Sequence, residues 1–163
     1  MGEWLGQFWL GLAGNFCDLA DGGSAGQFVG RALVAAALGA ALGYERERHG
    51  KSAGLRTHTL VALATAFFVL IPIQVGMAHP ELSRVIQGLA AGVGFLGAGM
   101  IVKRTEQGQV VGLTTAAELY FTTTVGVAAG LGRGTTALLG TLLALVVLAS
   151  VPRFERKPSG PNP

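Results

Sequence analysis

From position 28 onward the chain is a succession of long apolar runs separated by short polar stretches. The runs cover 28–44, 57–75, 85–102, 113–131 and 135–151, each 17–19 residues long. An α-helix of about 20 apolar residues crosses the hydrocarbon core of a bilayer, with roughly 17 as the lower limit. In hydrocarbon, backbone polar groups must be satisfied within the segment itself, so the pattern predicts helices. The expected fold class is all-α, a polytopic transmembrane helical bundle of about five spans. Upstream, WLGQFWLGLAGNFC at 4–17 is apolar but too short to span. Trp4, Phe8 and Leu12 recur at helical spacing, as do Leu5, Trp9, Leu12 and Phe16, and tryptophan favours the headgroup level. A short interfacial or re-entrant helix is expected there, with a loop at 18–27. The expected organisation is therefore an N-terminal segment over 1–27, a five-helix domain over 28–151, and a disordered tail over 152–163 that ends in KPSGPNP.

Composition removes the soluble alternative. Only 13% of the residues are charged and 50% are hydrophobic, with a mean hydropathy of +0.52, whereas a soluble domain carries about 25% charged residues. Eleven of the 26 glycines lie within these apolar runs, where they let helix backbones approach closely. The net charge of +3 does not point to nucleic acid, because the basic residues are not interleaved with aromatics on one face. They cluster between the runs. Arg46, Arg48, Lys51, Arg56, Lys103, Arg104, Arg153, Arg156 and Lys157 fall on one side of the alternation, and only Arg31, Arg84 and Arg133 on the other. By the positive-inside rule the N-terminus is expected outside and the C-terminus in the cytoplasm. The first basic residue is Arg31, so no cleaved signal peptide is expected. Cys17 stands alone, which excludes an internal disulfide, and reads as a packing residue.

Three groups of residues stand out. The first is a set of small-residue ladders: Ala35, Gly39 and Gly43 in the first run, Gly88, Gly92, Gly94, Gly97 and Gly99 in the third, Gly126 and Gly130 in the fourth. Glycines four apart share a helix face and form a contact, within one protomer or between subunits. GVGFLGAG superficially resembles a nucleotide fingerprint but lies in an apolar span with no strand before it. The second group is the polar cluster Glu45, Arg46, Glu47, Arg56, Thr57 and His58, where two helix ends bring carboxylates, guanidinium and imidazole to one membrane boundary. A salt-bridge clasp between Glu45 or Glu47 and Arg56, or a basic residue of another span, is one expectation, and a cation or ligand site the other. The third group is intramembrane: Gln87, Thr114, Thr115 and above all Glu118, about 8 Å into the fourth span. An acid at that depth is a functional candidate by default. Its structural alternatives are pairing with a basic residue, or a neutral carboxyl whose change to glutamine would be mild. No nucleophile, base and orienter fall into a recognisable frame. No enzyme activity and no cofactor are expected, and the residues name no metal.

Three blocks in order, GYERERHGKSAGLRTHTLV at 43–61, RVIQGLAAGVGFLGAGMI at 84–101 and VGLTTAAELY at 111–120, resemble the MgtC/SapB family of bacterial membrane proteins. The positions that carry it are Gly43, Glu45, Arg46, Ala53, Gly54, Leu55, Arg56, Thr57, Gly92, Gly94, Phe95, Gly97, Gly99, Gly112, Thr114 and Thr115, with His58 an accepted variant. Two positions depart from the pattern: Tyr120 replaces a common tryptophan, and Glu118 stands where a small or hydroxylated residue is usual. The resemblance implies about five spans in the bacterial inner membrane. It covers the membrane domain, without the C-terminal ACT-like domain that many members carry. It also implies a setting of magnesium limitation, acid stress and virulence-associated adaptation, with restraint of the F-type ATP synthase as one linked activity.

Two functions fit these observations. One is a non-enzymatic protein that modulates other membrane machinery through its glycine faces, alone or as a homo-oligomer, with the lipid bilayer as its medium. The other is a channel or transporter for magnesium, another cation or protons, using Glu118 and the Glu45–His58 cluster. The nearly all-apolar outer halves of the second and fifth runs favour the first.

Overall fold

Six helices account for nearly all of the chain that the computed structural model describes, which is residues 2–14, 19, 22–103 and 110–150. They are α1 (Gly2–Gly14), α2 (Gly22–Arg48), α3 (Leu55–Gln74), α4 (His79–Met100), α5 (Leu113–Gly130) and α6 (Gly134–Ser150). The fold is all-α, as the pattern predicts. Cys17 and the tail lie outside the described residues.

Helices α2, α3 and α4 begin before their apolar runs, whereas α5 and α6 match theirs to within a residue. Helix α2 begins at Gly22, inside the expected loop at 18–27, and ends at Arg48. At 1.5 Å per residue its 27 residues extend about 40 Å, close to the thickness of a bilayer with its headgroups. Polar ends can stay helical at headgroup level, and hydropathy does not mark where they stop. The polar connection expected between the first two runs contracts to residues 49–54, because Glu45–Arg48 still belong to α2. Helices α2, α3 and α4 are long and apolar enough to cross a membrane, and α6 is a shorter apolar helix.

The chain divides into two units, Met1–Gly30 and Arg31–Pro163. In the first, α1 is too short to span and exposes Leu5, Phe8, Trp9, Leu10 and Leu12. Phe8 and Trp9 meet edge to face at 5.8 Å.

In the second unit α3 lies between two glycine ladders. On one side, a Cβ built on Gly39 would come within 2.6 Å of the Ala62 Cβ and 2.7 Å of the His58 carbonyl oxygen, and one on Gly43 within 2.7 Å of the Leu55 Cα. On the other side, Gly126 faces Thr65 and Ala62, and Gly130 faces Ala66 and Val69. These ladders are therefore filled from within the protomer. Helix α5 is also packed by α4 and α6. Its buried hydroxyls are satisfied locally: Thr122 donates to the Glu118 carbonyl at 2.9 Å and Thr123 to the Leu119 carbonyl at 3.0 Å. The threonine hydroxyls can thus sit in the interior without being orphaned.

Between α4 and α5 the chain makes a small antiparallel ribbon that hydropathy did not reveal. Strand β1 (Val102–Lys103) pairs with β2 (Val110–Val111) in the register Val102↔Val111 and Lys103↔Val110. Gly112 then enters α5 with φ of 93°, against the backbone of Met100. Gly112→Ala should lower stability by more than ~1 kcal/mol, since alanine is strained at positive φ and has no room there. Thermal unfolding in detergent measures it.

Candidate functional site

Consecutive residues on a helix point about 100° apart, so Glu45, Arg46, Glu47 and Arg48 cannot act as one patch. Glu45 meets His49 one turn on, Oε1 to Nδ1 at 3.2 Å. Glu47 reaches across to the start of α3, where its Oε2 accepts the Leu55 N–H at 2.9 Å. A carboxylate there satisfies one of the free amides of the first turn and faces the positive end of the helix dipole. The expected clasp to Arg56 does not form. Arg56 and Thr57 are exposed, and Arg56 makes no ion pair among the described residues. The backbone amide takes Glu47 instead, because it is fixed in place and needs no long side chain to be ordered.

Arg46 turns inward and is 6% exposed. Its Nε lies 2.5 Å from Oε2 of Glu118 on α5, and both side chains are nearly sealed, at 8% and 11% exposure. Beside the pair, the fully buried His58 places Nδ1 2.7 Å from the Thr122 hydroxyl. The cluster is incompletely satisfied. Arg46 Nε and Glu118 Oε2 are in ionic contact, while Glu118 Oε1 and His58 Nε2 have no hydrogen-bond partner.

These groups and Thr114 border a cavity of about 390 Å³ whose remaining walls are apolar, among them Leu42, Phe121, Leu143 and Val147. A second, more polar cavity of about 510 Å³ lies at the ribbon end, lined by Arg46, Lys51, Ser52, Gly112, Thr114 and Thr115 among others. Arg46 and Thr114 line both. No group of three or more His, Cys, Asp or Glu able to hold a metal exists among the described residues, and the one carboxylate at the site is already neutralised by a guanidinium.

The structure thus gathers Arg46, His58, Thr114 and Glu118, with buried Thr115 beside Thr114. Gln87 is exposed on α4 and does not join them. The pairing of Arg46 with Glu118 had a signal in the sequence. Ala35, Gly39 and Gly43 form the buried stripe of α2, and one further helical step lands on Arg46. On α5 the stripe Gly130, Gly126, Thr122 leads back to Glu118. Each charged residue extends a packing stripe, so the two meet where the stripes converge.

The glycines of α4 behave differently. A Cβ on Gly88, Gly92, Gly94 or Gly99 would meet nothing within 4 Å, whereas Gly97 is buried and faces the Ala116 Cβ at 3.6 Å. Gly97 is thus a packing residue against α5, and the other four are open. Phe95 beside them is 82% exposed.

This arrangement, ladders filled on α2 and α5 around a buried Arg–Glu pair, lies within residues 32–157, which match the MgtC family as a whole. The chain belongs to the MgtC family. Among curated MgtC relatives, protein SrpB of Synechococcus elongatus is 44% identical over 137 residues, 77% of this chain and 75% of SrpB. YhiD of Escherichia coli K12, named as a candidate magnesium transporter, is 38% identical over 130 residues, 75% of this chain and 59% of YhiD. Protein MgtC of Salmonella typhimurium is 41% identical over 113 residues, 69% of this chain and 47% of that protein. The chain thus spans three quarters of SrpB but only about half of YhiD and MgtC. No solved structure matches. Family membership and the long apolar helices together make this a membrane protein.

Proposed function

We propose that this MgtC-family protein takes part in magnesium handling without catalysis, by laying α4 against another transmembrane helix. That helix belongs to a second copy or to other membrane machinery, with the F-type ATP synthase the partner that the family resemblance suggests. Magnesium limitation or acid stress is the setting. The magnesium connection rests on relatives, one of them named as a candidate magnesium transporter. The observation that carries the contact reading is the contrast between ladders: α2 and α5 fill theirs internally, and α4 leaves Gly88, Gly92, Gly94 and Gly99 open beside exposed Phe95 and Leu96. Between helices in lipid, close backbone approach is the main source of attraction, and small residues permit it. Ion passage fits less well. Arg46 already holds the Glu118 carboxylate, and no further acid joins it in the described residues. The basic ends containing Lys51 and Lys103 face the cytoplasm of a bacterial inner membrane, with the N-terminus outside.

Gly92→Leu tests this reading. The site has room, so the variant should fold with stability within about 0.5 kcal/mol of the parent, while growth at low magnesium falls to that of a strain lacking the protein. Normal growth with Gly88→Leu and Gly92→Leu combined would refute the contact.

A further inference from the structure

The two cavities that meet at Arg46 differ in chemistry, and the difference specifies a ligand. The polar one offers donors: Lys51, Arg46, Ser52, Thr114 and Thr115, with no carboxylate among the described residues that line it. It also touches the start of α5, whose cap residue Gly112 supplies no side-chain hydrogen bond to the first-turn amides. Free amides at a helix N-terminus favour a phosphate. The apolar cavity takes its polar groups from α2, α3 and α5, and its α6 wall, with Leu143, Ala144, Val147 and Leu148, is apolar.

At the junction the unpaired atoms are mostly acceptors. Thr122 donates its one proton to the Glu118 carbonyl and so accepts from His58 Nδ1–H. A neutral His58 then carries its lone pair on Nε2, fully buried and without a donor. Glu118 Oε1, the oxygen turned away from Arg46 Nε, likewise has no hydrogen-bond donor. A ligand that completes the site brings an anion to the polar side, a hydrogen-bond donor to the junction and an apolar chain beyond it.

We propose that this site binds a single-chain phospholipid, with its phosphate beside Lys51 and the start of α5, its free glycerol hydroxyl on His58 Nε2 or Glu118, and its acyl chain in the apolar cavity. Two cations, Arg46 and Lys51, face the single carboxylate of Glu118, so the site accepts an anion. A two-chain phospholipid replaces that hydroxyl by a second ester carbonyl, an acceptor where acceptors already crowd, and brings a second chain to one cavity. The volume of about 390 Å³ falls within the ~300–1,000 Å³ range of ligand pockets. Entry from the bilayer is open: the lining residues Leu143 and Val147 are 67% and 58% exposed. The proposal stands apart from the α4 contact.

The test is binding to the full chain in detergent, by native mass spectrometry, of palmitoyl lysophosphatidylethanolamine, its dipalmitoyl counterpart and inorganic phosphate. The lysophospholipid should bind saturably and more tightly than the two-chain lipid, and phosphate alone should not displace it. Lys51→Gln, on an exposed loop, should weaken binding by roughly tenfold, as expected for a lost hydrogen bond to a charged group. Ala144→Phe, which fills the cavity, should abolish binding, and Gly92→Leu should leave it unchanged. If Ala144→Phe does not fold, Lys51→Gln decides. Equal binding of the two-chain lipid, displacement by phosphate, or an affinity unchanged by Lys51→Gln would each overturn the proposal.

Discussion

Gly126→Leu should leave almost no folded protein, and even Gly126→Ala should cost about 1–3 kcal/mol. A Cβ at this position runs into the Thr65 hydroxyl and the Ala62 carbonyl oxygen. Neither can retreat easily. Thr65 is buried and donates to the Val61 carbonyl at 2.8 Å, and the Ala62 carbonyl belongs to the α3 backbone. The only relief is to separate α3 from α5, which opens the His58–Thr122 contact as well. Against a total stability of ~5–15 kcal/mol, a leucine there exceeds what the bundle can absorb. Gly92→Leu is the control, because it adds the same atoms where nothing stands within 4 Å. Size-exclusion profiles and thermal unfolding of the two variants in detergent should differ sharply. Similar behaviour would mean that the glycine ladder of α5 does not hold the fold.

Glu118→Leu should destabilise the protein by about 3–5 kcal/mol, because it leaves the Arg46 guanidinium buried without its counter-charge. Arg46→Met should cost a comparable amount by orphaning the carboxylate. The double change Arg46→Met with Glu118→Leu should recover most of the loss, since apolar residues of similar volume often replace a buried pair without penalty. Denaturation of all four proteins in the same detergent measures the coupling. Glu118→Gln also removes the counter-charge, so it too should be clearly destabilising. A carboxyl already neutral would instead give the mild effect, and the same denaturation measurement separates the two. A double variant no better than the sum of the singles would show that the pair does not act as a unit.

The periodicity of apolar runs revealed the helices because a bilayer imposes one length and one conformation on anything that crosses it. It located helix ends poorly. The ends of α2 lie at headgroup level, where both helix and coil can be hydrated, so Gly22–Gln27 and Glu45–Arg48 carry no hydropathy signal. The ribbon at Val102–Lys103 and Val110–Val111 was equally silent, being only two residues per strand. Within the site, the sequence marked Glu118 because charge inside an apolar run is expensive, and Arg46 and His58 as members of the polar cluster at two helix ends. It did not pair them, because opposite charges were sought at neighbouring helix ends, whereas the actual partners come from α2 and α5. The ladders posed the same difficulty. Gly39, Gly126 and Gly92 look alike in sequence, and only the neighbouring helix distinguishes a filled face from an open one.

Magnesium entry into liposomes containing the purified protein tests the central claim most directly. If the protein acts by contact through α4, entry should equal that of protein-free vesicles, for the parent and for Glu118→Gln alike. Entry well above that background, lost in a folded Glu118→Gln variant, would contradict the account and make the protein a transporter.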